Sequence, residues 1–288
     1  MTTTRPEKAS PPAPAPAPAP APGAGSTMPD VQGLADSRRV AINKVGVKEI
    51  RYPITLHCPK TGGRQHTVAH VNMYVGLPHY QKGTHMSRFL AVLNEHHESI
   101  RSDQIMDVCH HVKDLLEAEE AHLELTFPYF IDKPAPVTGQ VGKLDVEVTF
   151  EAMCNNAQDD FILGLKVPAA SLCPCSKEIS AYGAHNQRCE MEVRVRFAPG
   201  QSMWIEDVFE IVERQASAPV FAILKRPDEK WVTETAYDNP KFVEDIVRDL
   251  ALALDDEPRI LWYQVNSENY ESIHNHNAYA FVERDKRV

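Results

Sequence analysis

The sequence predicts an α+β fold made of two consecutive units, each an antiparallel four-stranded sheet with two helices on one face. Three observations lead to this prediction. Segments in which apolar and polar residues alternate occur in pairs joined by short links, which favours antiparallel strand pairing. Segments with helical apolar periodicity lie between these pairs and could cover one face of each sheet. The order strand-strand-helix-helix-strand-strand occurs twice, although the two halves share negligible sequence identity.

The chain divides into three predicted regions. Residues 1–27 are dominated by alternating Pro and Ala, which cannot bury apolar surface, and are expected to form a disordered tail. Residues 28–155 form the first unit. Residues 156–288 form the second, which carries most of the candidate metal-site residues. The boundary is placed near residues 155–160, where the run NNAQDD interrupts the periodicity.

The first half contains four strand patterns and two helix patterns. The strand signal at residues 66–77 is clear, because Ala69, Val71 and Met73 share one face. The predicted strands are 50–59, 66–77, 122–130 and 144–153, and the predicted helices are 87–96 and 102–119.

The second half repeats this order. The predicted strands are 161–168, 189–197, 259–265 and 278–284, with a helix at 205–215. A second helix is expected to open at Asn239 and Pro240, with Asn239 as the N-cap and Pro240 at the first helical position. The polar segment 225–230 between these helices is predicted to be a loop of mixed charge.

Composition restricts the class of function. The 288 residues carry a net charge of -10, are 43% hydrophobic and are 24% charged, as in ordinary globular proteins. The negative charge argues against broad nucleic-acid binding, which requires a basic surface. A local group of Arg, Lys and His residues could still bind one triphosphate.

The cysteines point to a reducing compartment. The N-terminus has no apolar signal-peptide core, and no apolar run is long enough for a membrane span. A cytoplasmic location is therefore expected, in which the six cysteines are free, metal-bound or catalytic rather than disulfide-bonded.

The segment SLCPCSKEIS (171–180), followed by GAHNQR (183–188), concentrates potential metal ligands. Cys173 and Cys175 flank a proline, and His185 follows Cys173 by twelve positions. Thiolates and imidazoles are ligands for zinc and related metals. A single C-x-C pair is a weak signal, and both cysteines could equally be small residues packed near a loop.

A mixed ligand set would need further donors elsewhere in the chain. His274 and His276 lie in a short loop before the last strand, and they project the same way if that loop is extended. Both could also be solvated loop histidines. A site with fewer than four permanent protein ligands leaves room for water, as in catalytic metal sites.

Two glutamates and one helix start are further candidates for a functional site. Glu229 lies in the mixed-charge segment and Glu244 in the first turns of a helix, where each could simply be a surface acid. The segment GTHMSRF (83–89) precedes the first helix and could bind phosphate at the helix N-terminus, or Ser87 could merely cap it. The sequence contains no Walker-type phosphate loop.

Six segments together resemble the type IB GTP cyclohydrolase family, and they occur in the family's order. The segments are GTHMSRF, SLCPCSKEIS, GAHNQR, LKRPDEK, YDNPKFVED and SIHNHNA. The resemblance covers nearly everything except the Pro/Ala tail. It implies that each half is a tunnelling-fold (T-fold) unit and that the protein is a homotetramer with active sites between subunits. It also implies conversion of GTP and water to 7,8-dihydroneopterin triphosphate and formate, the first step of tetrahydrofolate synthesis.

The resemblance assigns roles to individual residues. It implies Cys173, His185, Glu229 and His274 as ligands of one divalent zinc, manganese or iron(II) ion, with Cys173 and His185 as catalytic residues. Cys175 and His276 remain close competitors of Cys173 and His274. It implies Glu244 as the carboxylate that anchors the purine. Cations expected to bind the triphosphate are Lys177, Arg188, His85 and Arg88.

The sequence leaves two alternative functions open. A deazaguanine nitrile reductase of the same fold would use a cysteine nucleophile and NADPH without a metal, but the sequence lacks an E-S-K-S-x-K motif. A non-catalytic metal-binding module would have a closed structural site. The mixed Cys, His and Glu donors favour the metal-dependent hydrolase.

Overall fold

The computed structural model describes residues 29–58, 60 and 62–287, so the predicted tail at 1–27 lies outside the described residues. The described chain is an α+β fold with one antiparallel sheet and six helices, as the sequence predicts for the fold class. None of these helices is long and apolar enough to cross a membrane.

The elements follow the predicted order with several additions. The strands are β1 Ile42–Cys58, β2 Gly63–Leu77, β3 Glu120–Pro134, β4 Val141–Asn155, β5 Asp159–Leu172, β6 Asn186–Phe197, β7 Ala218–Pro219, β8 Ile260–Asn269 and β9 Ala278–Asp285. The helices are α1 Met86–His96, α2 Ile105–Leu115, α3 Pro174–Ile179, α4 Ile205–Glu213, α5 Arg226–Asp238 and α6 Val243–Asp255. The elements that the sequence did not predict are α3, α5 and β7.

The strands form one continuous sheet in the order β1-β2-β3-β4-β5-β6-β8-β9, with the short β7 paired to β5. The two halves are joined because β4 pairs with β5, which places Phe150 opposite Leu163. The two predicted four-stranded sheets are therefore parts of a single larger sheet. The division into two units at residues 155 and 156 stays a prediction.

One hydrophobic core lies between the sheet and helices α1, α2, α4 and α6. Alternate residues of β2 are fully buried, as the period-two pattern predicts, and include Val71 and Met73. The helices contribute Phe89, Val208 and Leu250 to the same cluster. Burial of these apolar side chains is the main stabilising term of the fold.

Neighbouring strands run in opposite directions, so the strand ends and their loops lie along two opposite sides of the sheet. We call the edge where β1, β3, β5 and β8 end the lower edge, and the edge where β2, β4 and β6 end the upper edge. Helix α3 follows β5 and therefore begins at the lower edge. Helix α1 follows β2 and begins at the upper edge. Candidate residues at the same edge can lie close together within one chain, whereas residues at opposite edges cannot.

The prediction of a loop at residues 225–230 is wrong. Lys225 is the N-cap of α5, and the following residues form its first turn, with Pro227 near the start. The carboxylate of Asp228 accepts a hydrogen bond of 2.9 Å from the Lys225 N–H. Proline in the first turn and a carboxylate that caps free N–H groups are standard helix-start features.

The predicted helix start at Asn239 is also wrong. Helix α6 begins at Val243, with Phe242 as its N-cap. Asn239 ends α5 instead, and its amide Nδ2 donates to the carbonyls of Ala216 and Ser217 at 3.0 and 3.2 Å. Pro240 cannot continue α5 because it lacks a backbone N–H.

The helices of the first half differ in smaller ways. Ser87 lies inside α1, whose N-cap is His85, so Ser87 is not the cap. Helix α2 is shorter than the predicted 102–119 and ends before Glu117, whose φ of 55° is incompatible with a right-handed helix.

Candidate active site

Cys173 and His185 are held side by side at the lower edge. The Cys173 N–H donates to the His185 carbonyl at 3.2 Å, because the two residues flank adjacent antiparallel strands. Ser176 connects the same pair. Its N–H lies 3.4 Å from the Cys173 Sγ, and its hydroxyl oxygen accepts from the His185 N–H at 3.2 Å. The local backbone thus fixes the relative positions of a thiol and an imidazole.

The His185 ring is oriented by the β8–β9 loop. Its Nδ1 lies 3.1 Å from the hydroxyl oxygen of Ser272, so Nε2 is the ring nitrogen available to a metal ion. Metal-binding histidines are commonly oriented by a hydrogen bond at the second ring nitrogen. This contact supports His185 as a metal ligand, an assignment that remains a prediction.

The same loop carries His274 and His276 and is attached to β6. The Tyr270 N–H donates to the Arg188 carbonyl at 2.9 Å, and Gln187 Nε2 donates to Glu271 at 2.7 Å. The rings of His274 and His276 are exposed and stacked, with centroids 5.1 Å apart. Both imidazoles are accessible, so this arrangement does not distinguish them as ligands.

The two cysteines of the C-x-C pair differ in environment. Cys173 is half-buried and is the N-cap of α3, where its sulfur accepts the Ser176 hydrogen bond. Cys175 is exposed in the first turn of α3. The position of Cys173 beside His185 supports its assignment, which remains a prediction.

Glu244 lies on the same lower edge. It is exposed in the first turn of α6. The segment before α6 is bound to the end of β5, where the Lys241 N–H donates to the Leu172 carbonyl at 3.0 Å and the Ser171 hydroxyl donates to the Lys241 carbonyl at 3.1 Å. Since Leu172 directly precedes Cys173, the N-terminus of α6 is anchored close to the thiol.

Glu229 is placed by its neighbour Asp228. The Asp228 carboxylate accepts hydrogen bonds from Val137 and Thr138 in the β3–β4 hairpin, as well as from Lys225. Burial alone would raise the pKa of Asp228, but these hydrogen bonds outweigh it and hold the pKa well below its usual value. Glu229 itself is exposed in the first turn of α5.

A single chain does not assemble the full predicted ligand set. Tyr237, near the end of α5, contacts α3 through Lys177, whereas Glu229 lies about 12 Å away along the helix axis. Over the whole described part of the chain, no group of three or more His, Cys, Asp and Glu side chains is arranged to hold a metal ion. The structure brings Cys173 together with His185 and leaves Glu229 apart.

The predicted phosphate-binding cations are divided between the two edges. Lys177 Nζ bonds the Tyr237 carbonyl and lies 4.3 Å from the centre of the Tyr237 ring, so it already has partners. Arg188 is exposed near the lower end of β6. His85 and Arg88 lie at the upper edge, at the opposite end of the sheet from Cys173, and the 14 residues of β5 span roughly 45 Å between the two edges.

Sequence reasoning missed the residues that orient the candidates. Ser176, Ser272 and Asp228 all bond to or adjoin a predicted ligand. The two serines carry no pattern that marks them in the sequence. The Pro-Asp pair at 227–228 was a usable helix-start signal, since proline and acids are favoured in a first turn.

Comparison with known proteins decides the family. A family model described as type I GTP cyclohydrolase folE2 matches residues 28–280. A GTP cyclohydrolase FolE2 from Magnetococcus marinus is 57% identical over 258 residues, which cover 90% of this chain and 96% of that protein. The chain belongs to the GTP cyclohydrolase FolE2 family. A second FolE2 relative, from Azoarcus sp. strain BH72, is 55% identical over 91% of this chain and 96% of its own length.

FolE2 is the type IB family that the sequence motifs resemble. Among solved structures, a uricase from Bacillus fastidious aligns with a TM-score of 0.51 and 8% identity, covering 85% of this chain and 93% of the uricase. At this identity the likeness concerns the fold alone. It agrees with a T-fold-like arrangement of the large antiparallel sheet.

Proposed function

We propose that this FolE2 protein is a GTP cyclohydrolase that converts GTP and water to 7,8-dihydroneopterin triphosphate and formate, at the start of tetrahydrofolate synthesis. The observation that carries the proposal is the fixed pairing of Cys173 with His185. This pairing occurs in a chain with GTP cyclohydrolase relatives that are more than 50% identical over most of its length.

The donor set suits a divalent metal. The residues proposed to hold it are Cys173, His185, Glu229 and His274, and a thiolate, imidazoles and a carboxylate are compatible with zinc, manganese or iron(II). The contact of His185 Nδ1 with Ser272, which leaves Nε2 for the ion, supports this fit. When bound, such an ion lowers the pKa of water and makes hydroxide available near neutral pH for attack at C8 of guanine.

Glu244 is proposed to recognise the base. One carboxylate can accept hydrogen bonds from both the N1–H and the exocyclic amino group of guanine, which is a bidentate, charge-assisted pair. Adenine lacks this pair of donors and would leave the carboxylate without a partner, so the same contact gives specificity. The exposed position of Glu244 on the lower edge supports this role.

Imidazoles are proposed to move protons as the purine ring opens. The first hydrolysis opens the imidazole ring of guanine, and the second releases formate. The ribose then rearranges and a pyrazine ring closes, and each step transfers protons. Because Ser272 and the ion would occupy both ring nitrogens of His185, the proton transfer is assigned to a neighbouring imidazole, namely whichever of His274 and His276 does not bind the ion.

Assembly is part of the proposal. His85 and Arg88 lie at the upper edge, whereas Cys173 lies at the lower edge. They could serve one active site only if the upper edge of one copy meets the lower edge of another. Glu229 could likewise join the other ligands across a subunit contact. We therefore propose active sites formed between subunits, in the homotetramer that the family resemblance implies and in the cytoplasm, as the sequence predicts.

The direct test is incubation of the purified protein with GTP and, in parallel, zinc, manganese or iron(II). Release of formate together with a fluorescent pterin is the expected result. A bound metal with no pterin would support a non-catalytic metal-binding module instead. Turnover of a deazaguanine nitrile with loss of NADPH absorbance would support the reductase.

A further inference from the structure

Two histidines outside the candidate active site form a close pair on the first two helices. His96 Nε2 lies 2.9 Å from His111 Nδ1, and the ring centroids are 5.2 Å apart at an angle of 76°. His96 ends α1 and His111 lies in α2. The helices also contact each other through Arg88, whose Nη1 donates to the Leu115 carbonyl at 2.9 Å. The pair is thus held by two packed helices rather than by a loop.

Two acidic residues, Glu95 and Asp107, belong to the same helices as this pair. The Glu95 Oε2 lies 3.9 Å from the same His111 Nδ1, and the Glu95 side chain is 62% exposed and therefore free to rotate. Asp107 stands four positions before His111 on the same face of α2. The adjacent His110 is engaged elsewhere, with its Nε2 2.9 Å from Asp159. His111 Nδ1 therefore has a second ring nitrogen at 2.9 Å and an exposed carboxylate oxygen at 3.9 Å.

As the side chains stand, these three do not form a metal-binding group. We propose that, after side-chain rotation, His96 and His111 bind a zinc-like divalent transition metal as a second site, with Glu95 as the third donor. Two nitrogens bound to one tetrahedral zinc ion are about 3.4 Å apart. The observed separation of 2.9 Å must therefore open slightly, which requires only small side-chain rotations. The ion would take the place of the hydrogen bond between the two rings, and Glu95 would close from 3.9 Å.

This site would be chemically different from the lower-edge site. It contains no thiol, and its ligands all come from α1 and α2 of the first half. With three protein donors at most, it would keep positions for water, and its affinity would be below that of closed four-ligand sites. Copper(II) should bind it more tightly than zinc, as the general order of metal affinities requires.

The test measures metal binding without relying on activity. Full-length Cys173→Ala protein is titrated with zinc against a chromophoric chelator, and compared with Cys173→Ala proteins that also carry His96→Ala or His111→Asn. We expect each added substitution to remove one zinc equivalent per chain or to weaken its binding at least about tenfold. Cys173→Ala with His97→Ala is the matched control and should bind as the parent does.

Copper(II) supplies an independent readout. The electron paramagnetic resonance spectrum of the Cys173→Ala protein should show nitrogen splitting that changes when His96 or His111 is replaced. Circular dichroism and size-exclusion chromatography establish that each variant is folded, and His111→Asn preserves a polar side chain if His96→Ala does not fold. Equal zinc binding and identical copper spectra in the folded variants would overturn the proposal, and the GTP assay would remain an independent test of the proposed function.

Discussion

Asp228 binds Thr138 through both carboxylate oxygens. Oδ1 accepts the Thr138 N–H at 2.9 Å, and Oδ2 accepts the Thr138 hydroxyl at 2.7 Å. Oδ2 also accepts the Lys225 N–H at 2.9 Å, so one side chain joins the β3–β4 hairpin to the first turn of α5. Because Glu229 is the next residue, Asp228 sets the position of a proposed metal ligand without needing to touch the ion.

Asp228→Asn should loosen the start of α5. An amide offers one acceptor oxygen and turns an NH2 group toward donors, so at least one N–H loses its partner. We expect a lower melting temperature and metal binding about 10- to 100-fold weaker, the usual effect of losing a residue that orients a ligand. Thermal unfolding and zinc titration check this. Asp238→Asn, at the far end of α5, is the control, and equal metal affinity in both variants would contradict the positioning role.

The same carboxylate should contribute to acid sensitivity. Its pKa is held well below the ordinary 3.8, so the unfolded chain binds the proton more readily than the folded protein does. The stabilisation is therefore present above about pH 4 and is lost as the pH falls through the lower, folded-state pKa. Denaturant unfolding from pH 7 to pH 3 should show a shallower loss for Asp228→Asn than for the wild type. Parallel curves would show that Asp228 does not contribute to the acid sensitivity.

Cys173 and Cys175 should respond differently to substitution. Cys173→Ala is expected to lose bound metal and more than about 100-fold of the turnover while remaining folded, because it removes a direct ligand. Cys175→Ala should retain both, since its exposed thiol is proposed to take no part. Metal content and pterin fluorescence distinguish the variants. Wild-type turnover by Cys173→Ala would exclude this residue from the site.

Most of the fold could be predicted from sequence because its strands alternate and its main helices are amphipathic. Helix α5 was missed because it is polar on most of its surface and buries only Asp228 and Ala236. Its hydrophobic period is correspondingly weak, so only the proline and acid near its start indicated a helix. The helix start predicted at Asn239 is wrong because asparagine is favoured both at helix starts and at helix ends.

The candidate residues could be named from the motifs, but their arrangement could not. The role of Ser272 depends on the pairing of β8 with β6, which brings a residue 87 positions away to His185. The separation of His85 from Cys173 depends on strand directions across the entire sheet. Such long-range relations leave no local pattern in a single sequence.

Glu244→Ala should weaken guanine recognition and leave the metal in place. Loss of a bidentate contact with a charged group should decrease kcat/KM about 10- to 100-fold. Steady-state kinetics with GTP, together with metal analysis, measure both effects. Asp256→Ala, at the exposed opposite end of α6, is the matched control. Unchanged KM and kcat for Glu244→Ala would refute the anchoring role.

An active site shared between subunits should allow two inactive variants to restore each other. His85→Ala damages the upper edge and Cys173→Ala the lower edge. In hetero-oligomers, some sites would combine an intact upper edge from one chain with an intact lower edge from another. If the subunits mix at random, about one quarter of the wild-type rate should return.

The control mixture combines Cys173→Ala with His185→Ala. These residues share a backbone hydrogen bond within one chain, so every lower edge in this mixture carries a lesion. No activity should return, although the chains exchange equally well. Differently tagged subunits and sequential affinity purification establish that hetero-oligomers have formed. Recovery in neither mixture, with exchange demonstrated, would mean that His85 and Cys173 do not act across a subunit contact. Recovery in both would place Cys173 and His185 in different sites, against their close pairing at the lower edge.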